Sequence, residues 1–546
     1  MELSSCGFSP KPPHALRMAT ALATPETSAT SPDSASARRT PDRVWIDRWL
    51  FPALGVVSLL ASCILWSLRK QMWGDEVFTH VELSDPSLTH LLSAATRLGG
   101  AGMPLFYLTA WPWAHVFGFS DLSLRLYSSV GVCGAFLILV LTLRRFVSPS
   151  SAFLGAAFGL FASLIVLDQN SEARGYGLWL LLCAAAIAQL VKVAQSAQPR
   201  RRDLLLLALT QAGLVLGHVL GLAYAGLLLI ALIAADALQR HFRLRVYAWA
   251  IAGWLALIPW IPAIRASAAI GHPHGWIAVP TLADLGTSLS FWLFTGLYWQ
   301  ITPHPPVALL LAGWFFAIVV VIILAISTVW NLATATPQQK LLPLVGFSLV
   351  ASPVAMYLVS ITITPVFLPR YLLPAAIGIA ILAAIWAERT GAGKGIRGLV
   401  LSGLVLLLPI GAALLAHPEG LNVNRVDSLA EGRPIVCDSL KDFLVMTRYS
   451  AYPSAPEFAL DWPAALASPP GTTADVLLMR NYRREGYLSA QLLDPSAIFD
   501  QPSFLVLNND QADWFRVAIA HNPHFTWKMV GPVDAHRRVV LVERKP

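Results

Sequence analysis

Long uncharged runs separated by short clusters of arginine and lysine dominate this chain, and they leave few folds open. Runs such as Leu126 to Leu143 are apolar on every face, so a helix formed from them has no polar side to offer water. Helices of about 20 residues, matched to a hydrocarbon core roughly 30 Å thick, satisfy that pattern. A β-barrel does not, because its strands alternate apolar and polar residues in segments of about ten. Of the 546 residues, 56% are hydrophobic and only 13% are charged, which excludes a soluble protein of ordinary composition.

The net charge of +8 suggests a nucleic-acid binder until the positions of the basic residues are read. They flank the apolar runs: Arg144/Arg145, Lys192 with Arg200 to Arg202, Arg240/Arg243/Arg245, Lys340, and Arg389/Lys394/Arg397. Such clusters mark the cytoplasmic ends of membrane spans. The five cysteines show no CxxC spacing and no disulfide framework, so they read as small apolar core residues, with Cys437 a free thiol outside the membrane.

Residues 1–44 are rich in Ser, Thr, Ala and Pro without apolar periodicity and are expected to form a disordered cytoplasmic leader. The run from Trp49 to Leu68 follows Arg38, Arg39, Arg43 and Arg48 and reads as a retained anchor. Between Leu204 and Ala235 lie 32 uncharged residues with basic clusters on both sides, so the chain must return through a tight outer turn near Gly217, His218 and Gly221. Met103 to Phe119 is apolar but carries Pro104, Pro112 and His115, and counting it as a span would invert every later loop. It is read as an interfacial helix. About eleven spans follow, near 49–68, 126–143, 151–167, 175–191, 204–217, 221–237, 246–264, 307–329, 341–361, 372–387 and 398–416. The expected fold class is an all-α polytopic membrane protein with outer interfacial helices, a transmembrane module over 45–416 and a small α/β periplasmic domain over 417–546. Strands are expected at Pro434 to Cys437, Asp475 to Met479, Phe504 to Leu507 and Arg538 to Glu543, with helical patterns at Ser439 to Tyr449 and Asp510 to His521.

Three outer segments carry ionisable residues. Asp75 and Glu76 follow the first span; they read either as the start of a capped interfacial helix or as reactive carboxylates. Asp168, Glu172 and Arg174 sit in a short turn of about 168–174 between two spans, where ionisable groups face a cavity, each other, or the surface as an ion pair. Arg370 opens a later span on the outer face, against the positive-inside bias. That position asks for a bound anion, a carboxylate, or lipid phosphates reached by snorkelling. Together the set suits transfer of a sugar from a lipid phosphate: a base, Asp75, for the acceptor hydroxyl, and arginines for the departing phosphate.

Gly74-Asp75-Glu76 after the first span, Pro104-Leu105-Phe106-Tyr107 with Trp111, Ser120 with Leu124-Arg125-Leu126, Gln169 with Glu172-Ala173-Arg174 and Tyr176, and Arg370-Tyr371-Leu372-Leu373-Pro374 resemble the GT-C-type glycosyltransferases. The nearest groups are bacterial relatives of the dolichyl-phosphate-mannose protein mannosyltransferases, the aminoarabinose transferases of lipid A, and the RgtA/B/C/D-like galacturonosyl transferases. The resemblance implies a polyprenyl-phosphate-sugar donor, inverting transfer on the periplasmic face of a bacterial inner membrane, and Asp75 as the principal catalytic carboxylate with Glu76 beside it. It implies that Glu172 belongs to a second acidic site and that Arg174, Arg370 and Tyr371 lie near the donor phosphate. Metal dependence varies in that superfamily, so the metal stays unknown. His218, His272, His274 and Trp276 lie in outer segments where they are candidates for acceptor or donor contacts. The acceptor is a glycan, a lipid or a protein hydroxyl. A transporter or flippase of lipid-linked sugars is the alternative; it predicts ionisable residues at span midpoints and repeated halves, whereas the acids here sit at outer ends. A third reading treats the helices as a mere anchor for a ligand-binding terminal domain, to be tested by truncation after Ala416.

Overall fold

The computed structural model describes residues 49–99, 102–270, 272–291, 307–334, 340–416, 420–468 and 472–546. The expected disordered leader, and residues 292–306 of the long outer loop, lie outside the described residues. The helices run α1 Phe51–Ser67, α2 Gly74–Leu83, α3 Leu88–Leu98, α4 Pro104–Phe117, α5 Asp121–Leu143, α6 Pro149–Phe161, α7 Leu164–Asn170, α8 Tyr176–Ala194, α9 Arg201–Gly217 and α10 Gly221–Leu238. They continue as α11 Leu244–Trp254, α12 Ile261–Ala269, α13 Leu282–Phe291, α14 Val307–Thr334, α15 Leu341–Val350, α16 Ser352–Thr362, α17 Pro374–Thr390 and α18 Gly395–Leu415.

Helices therefore stand at each expected span, but the protein is a polytopic membrane protein with fewer unbroken crossings than the sequence suggested. Among the described residues five helices are long and apolar enough to cross by themselves, or seven when two bent pairs are each counted as one span. The pair α6 and α7 bends by 77° and the pair α15 and α16 by 41°. In the first, Ser163 accepts the Val166 N–H and starts a new helix; in the second, Pro353 occupies the first turn of α16, where a missing N–H costs nothing. The outer turn expected near His218 is present: α9 stops at Gly217, His218 is extended, and α10 starts at Gly221.

Close approach in the bundle rests on small residues. Gly155 and Gly159 lie one turn apart on α6, and a Cβ on either would collide with Ala384 or with Ala376 and Ala380 of α17. Without a hydrophobic driving force between helices in lipid, such contacts between small residues supply the association through dispersion.

After α18 come α19 Val423–Ala430, β1 Ile435–Cys437, α20 Leu440–Tyr449, β2 Pro456–Ala459, α21 Trp462–Ala467, α22 Thr472–Arg484, β3 Leu492–Leu493, α23 Pro495–Phe499, β4 Ser503–Asn509, β5 Phe525–Pro532 and β6 Arg537–Arg544. The sheet order is β3-β2-β1-β4-β6-β5. The first four of these strands pair parallel, and β6 runs antiparallel to β4 and β5. Asp475 to Met479, expected as a strand, belongs to α22. Ala474, Val476, Met479 and Tyr482 are buried at helical spacing, so the short apolar run was one face of a longer helix. The helical pattern expected over Asp510 to His521 narrows to one π-helical stretch, Phe515–Ala520.

This domain does not sit apart from the membrane module. One hydrophobic core joins Val77, Leu83, Leu91 and Tyr107 of the outer helices to Val426, Phe443, Met479 and Tyr482. Polar ties reinforce it. Tyr107 and Tyr482 donate to the buried Glu82 carboxylate, Tyr487 donates to Asp85 at 2.6 Å, and Arg448 pairs with Asp121 at 2.8 Å. Truncation after Ala416 would uncover that core, so it does not isolate the membrane site.

Substituting Gly159→Ala is expected to cost about 1–3 kcal/mol through forced separation of α6 and α17, whereas Gly226→Ala on α10, where a Cβ meets nothing within 4 Å, is expected to be neutral or slightly stabilising. Thermal unfolding of the two variants in detergent checks the contrast.

Candidate active site

The segment between α1 and α2 is fixed by a buried ion pair. Arg125, at the start of α5, donates to both oxygens of Glu76 at 2.8 Å, and to the carbonyls of Lys70 at 2.8 Å and Gln71 at 3.0 Å. Neither side chain has any exposure. Glu76 also accepts from the backbone N–H of Trp73 at 3.2 Å and of Ala173 at 2.8 Å. The helix α2 thus starts with Trp73 as its N-cap residue and Glu76 at the third position, reaching back in the manner of a capping box. Glu76, expected to be reactive, is fully engaged in holding two segments together.

Asp75, one residue earlier, points elsewhere. Its carboxylate lies 3.5 Å from Arg370 and 3.8 Å from Arg174, and all three side chains are about a quarter exposed, at 26%, 23% and 24%. The Arg174 guanidinium also donates to the Asp75 carbonyl at 3.1 Å. Arg370 lies over Trp73, Trp276 and Tyr371, with its carbon 5.5, 5.7 and 6.0 Å from the ring centroids. These cation–π contacts hold the guanidinium without consuming its donors, and its buried Nε has no hydrogen-bond partner. Tyr371 is buried, and His218 packs beside it with ring centroids 5.3 Å apart. His218 stacks on Trp179 at 4.0 Å and accepts the Leu220 N–H, so it supports the aromatic wall.

A second charged group neighbours the first. Lys70 lies 3.4 Å from Glu172 and 3.6 Å from Asp168, and Gln169 donates to Glu172 at 3.0 Å. Burial and the nearby Asp168 push the Glu172 carboxyl upward, with Lys70 opposing. The turn that carries these groups is pinned inside the bundle. Asn170 donates to the Leu59 carbonyl and to Ser62, and Ser128 donates to the Gln169 carbonyl.

The C-terminal domain closes in from above. Lys441 packs against Gly74. Thr473, opening α22, donates to the His274 carbonyl at 2.9 Å and accepts the His274 N–H at 3.2 Å. Burial lifts the carboxyl of Asp475, one turn into α22, to about 6, with Lys441 lowering it and the Asp75 charge raising it. The structure brings Asp75, Arg174, Arg370, Tyr371 and Trp276 together. His218 lies behind Tyr371, His274 meets the terminal domain, and His272 is exposed with no described contact to Asp75. Lys70, Lys441, Thr473 and Asp475 went unrecognised. Lys70 had a signal, being a cation at the outer end of the first span; the other three had none, because they come from a distant part of the chain. Among the described residues no group of three or more His, Cys, Asp or Glu side chains is arranged to hold a metal ion.

No protein-family model and no curated protein sequence matches the chain. Among solved structures the chain is similar to ArnT from Cupriavidus metallidurans in the apo state, with a TM-score of 0.53 and 11% sequence identity over 90% of this chain and 97% of that one. It is similar too to ArnT from the same organism bound to undecaprenyl phosphate, with a TM-score of 0.50 and 13% identity over the same shares. The likeness shows a fold shared over 90% of this chain.

Replacing Glu76 with Gln leaves Arg125 buried without its countercharge and is expected to cost about 3–5 kcal/mol. Asp203→Asn, which removes the charged partner of Lys192, is expected to leave the unfolding midpoint nearly unchanged. Unfolding midpoints of both variants in one detergent decide whether the buried pair dominates.

Proposed function

We propose that this protein is a glycosyltransferase that moves a sugar from a polyprenyl-phosphate donor to an acceptor hydroxyl at the outer face of a bacterial inner membrane. The observation that carries this reading is the Asp75 carboxylate held between Arg174 and Arg370 in a partly open site. The fold shared with ArnT supports it, and one of those ArnT structures holds undecaprenyl phosphate. The topology assigned is about eleven spans, the N-terminus cytoplasmic and the terminal domain periplasmic, with residues 45–416 as the transferase module and 417–546 as the domain that covers it.

Asp75 accepts the proton of the acceptor hydroxyl as its oxygen attacks the anomeric carbon. The bond from that carbon to the phosphate oxygen breaks in the same displacement, which inverts the configuration and releases polyprenyl phosphate. The leaving group needs no proton but gains charge, and two guanidiniums supply fixed, multipoint donors for it. The 3.5 and 3.8 Å spacings to Asp75 are longer than tight ion pairs, so phosphate oxygens can take the arginines' donors while Asp75 turns to the acceptor. Trp73, Trp276 and Tyr371 hold Arg370 in place. Glu76 positions α2, and Glu172 with Asp168 orients Lys70 toward the polar face. A transporter would carry its ionisable residues near span midpoints, and this cluster stands at the outer ends.

Purified wild-type protein is expected to transfer label from one of a panel of radiolabelled polyprenyl-phosphate sugars to a membrane acceptor. Asp75→Asn should lower the rate by about 10²–10⁴-fold with polyprenyl phosphate binding retained, while Arg174→Ala and Arg370→Ala should weaken that binding. A wild type that consumes no donor but carries labelled lipid across a vesicle bilayer would overturn the transferase reading in favour of transport.

A further inference from the structure

The terminal domain carries a crevice that the transfer chemistry does not use. It opens at the carboxyl ends of the parallel strands β1 and β2, where open α/β sheets bind ligands, and its walls include Asp438, Phe458, Asp461, Asp475 and Trp514. Its free volume is about 30 Å³, the share of one liquid water, so it admits a hydroxyl-sized group with the rest of a ligand at the mouth.

Two observations point to what that group is. Trp514 is only 6% exposed, and its indole N–H has no acceptor in the protein. Beside it stand carboxyl groups, two of them already bonded within the domain. Asp438 takes hydrogen bonds from Asn508 at 2.6 Å and from the Asn509 N–H at 2.9 Å, and Asp461 takes the Ala464 N–H at 3.0 Å. An ammonium group or a metal ion satisfies carboxylates but leaves the indole N–H unmet, and an anion does the reverse. A hydroxyl does both, accepting from Trp514 and donating to a carboxylate. Asp475 belongs to this crevice and lies two residues from Thr473, which is bonded to His274, itself two residues from the Trp276 ring beside Arg370, so the crevice neighbours the transfer site.

We infer that this crevice is a saccharide subsite for the acceptor, in which a sugar hydroxyl bridges Trp514 and the Asp438/Asp461/Asp475 carboxylates while the acceptor extends toward Asp75. The assignment of the saccharide to the acceptor rests on the transferase reading above. It is tested on full-length protein in nanodiscs by saturation-transfer NMR with a panel of methyl hexosides, alongside the transfer assay. Trp514→Phe keeps a ring and removes the N–H; Asp475→Asn keeps the shape and removes the charge. Both are expected to weaken glycoside binding and raise the acceptor KM about tenfold, roughly 1.4 kcal/mol, with polyprenyl phosphate affinity retained. Wild-type glycoside affinity and acceptor KM in both variants, or no glycoside bound by the wild type, would overturn the subsite while leaving the transferase reading intact. Glycoside binding that depends on Trp514 in a wild type showing no transfer would uphold the saccharide site and sink the transferase reading instead.

Discussion

The arrangement at the outer face depends on the pairing of Glu76 with Arg125. Both are fully buried, and a lone charge there would cost several kcal/mol, so neither side chain has an alternative. One guanidinium draws the Lys70 and Gln71 carbonyls to the start of α5, and one carboxylate draws in the Trp73 and Ala173 N–H groups. That single knot sets where Lys70, Asp75 and Arg174 emerge. The neighbours Asp75 and Glu76 then divide the work by helical geometry: successive positions diverge by about 100°, and one faces the bundle while the other faces the open side.

Around that knot the charges sort by solvent access. Glu76 and Arg125, without exposure, engage both carboxylate oxygens and all three guanidinium nitrogens in hydrogen bonds, as burial requires. Asp75, Arg174 and Arg370 keep partial exposure and longer separations, and Arg370 is steadied by ring faces rather than by acceptors. Rigid support under loosely paired charges suits a site whose ionic partners must change during a reaction. A strap of tyrosines runs behind it: Glu82, seven residues along α2 from Asp75, is held by Tyr107 from α4 and Tyr482 from α22.

Much of this was legible in the sequence where the signal was local. Uniformly apolar runs and their basic flanks gave helices at each expected segment, and the lone outer arginine at position 370 gave its own alert because lipid makes unpaired charge costly. The carboxylate pair at 75 and 76 announced a site but not its division of labour, since that depends on Arg125 lying 49 residues away. The breaks at Ser163 and Pro353 were hidden inside hydropathy windows that average over them. Asp475 to Met479 misled because its four apolar residues, 476–479, fit a strand as well as a helix, and only packing against the sheet and the neighbouring helices decided. Lys441, Thr473 and Trp514 were silent, as residues joined to a site only by tertiary packing always are.

The hydrogen bonds from Tyr482 to Glu82 and from Tyr487 to Asp85 join positions 400 and 402 residues apart. A ribosome makes each tyrosine some 400 residues after its acid, so the helix bearing Asp75 waits, with part of its hydrophobic face uncovered, until the terminal domain has been synthesised. Assembly of this face is thereby tied to synthesis of the terminal domain: a nascent chain stalled between Ala416 and Tyr482 has the membrane helices but lacks the cover beside Asp75.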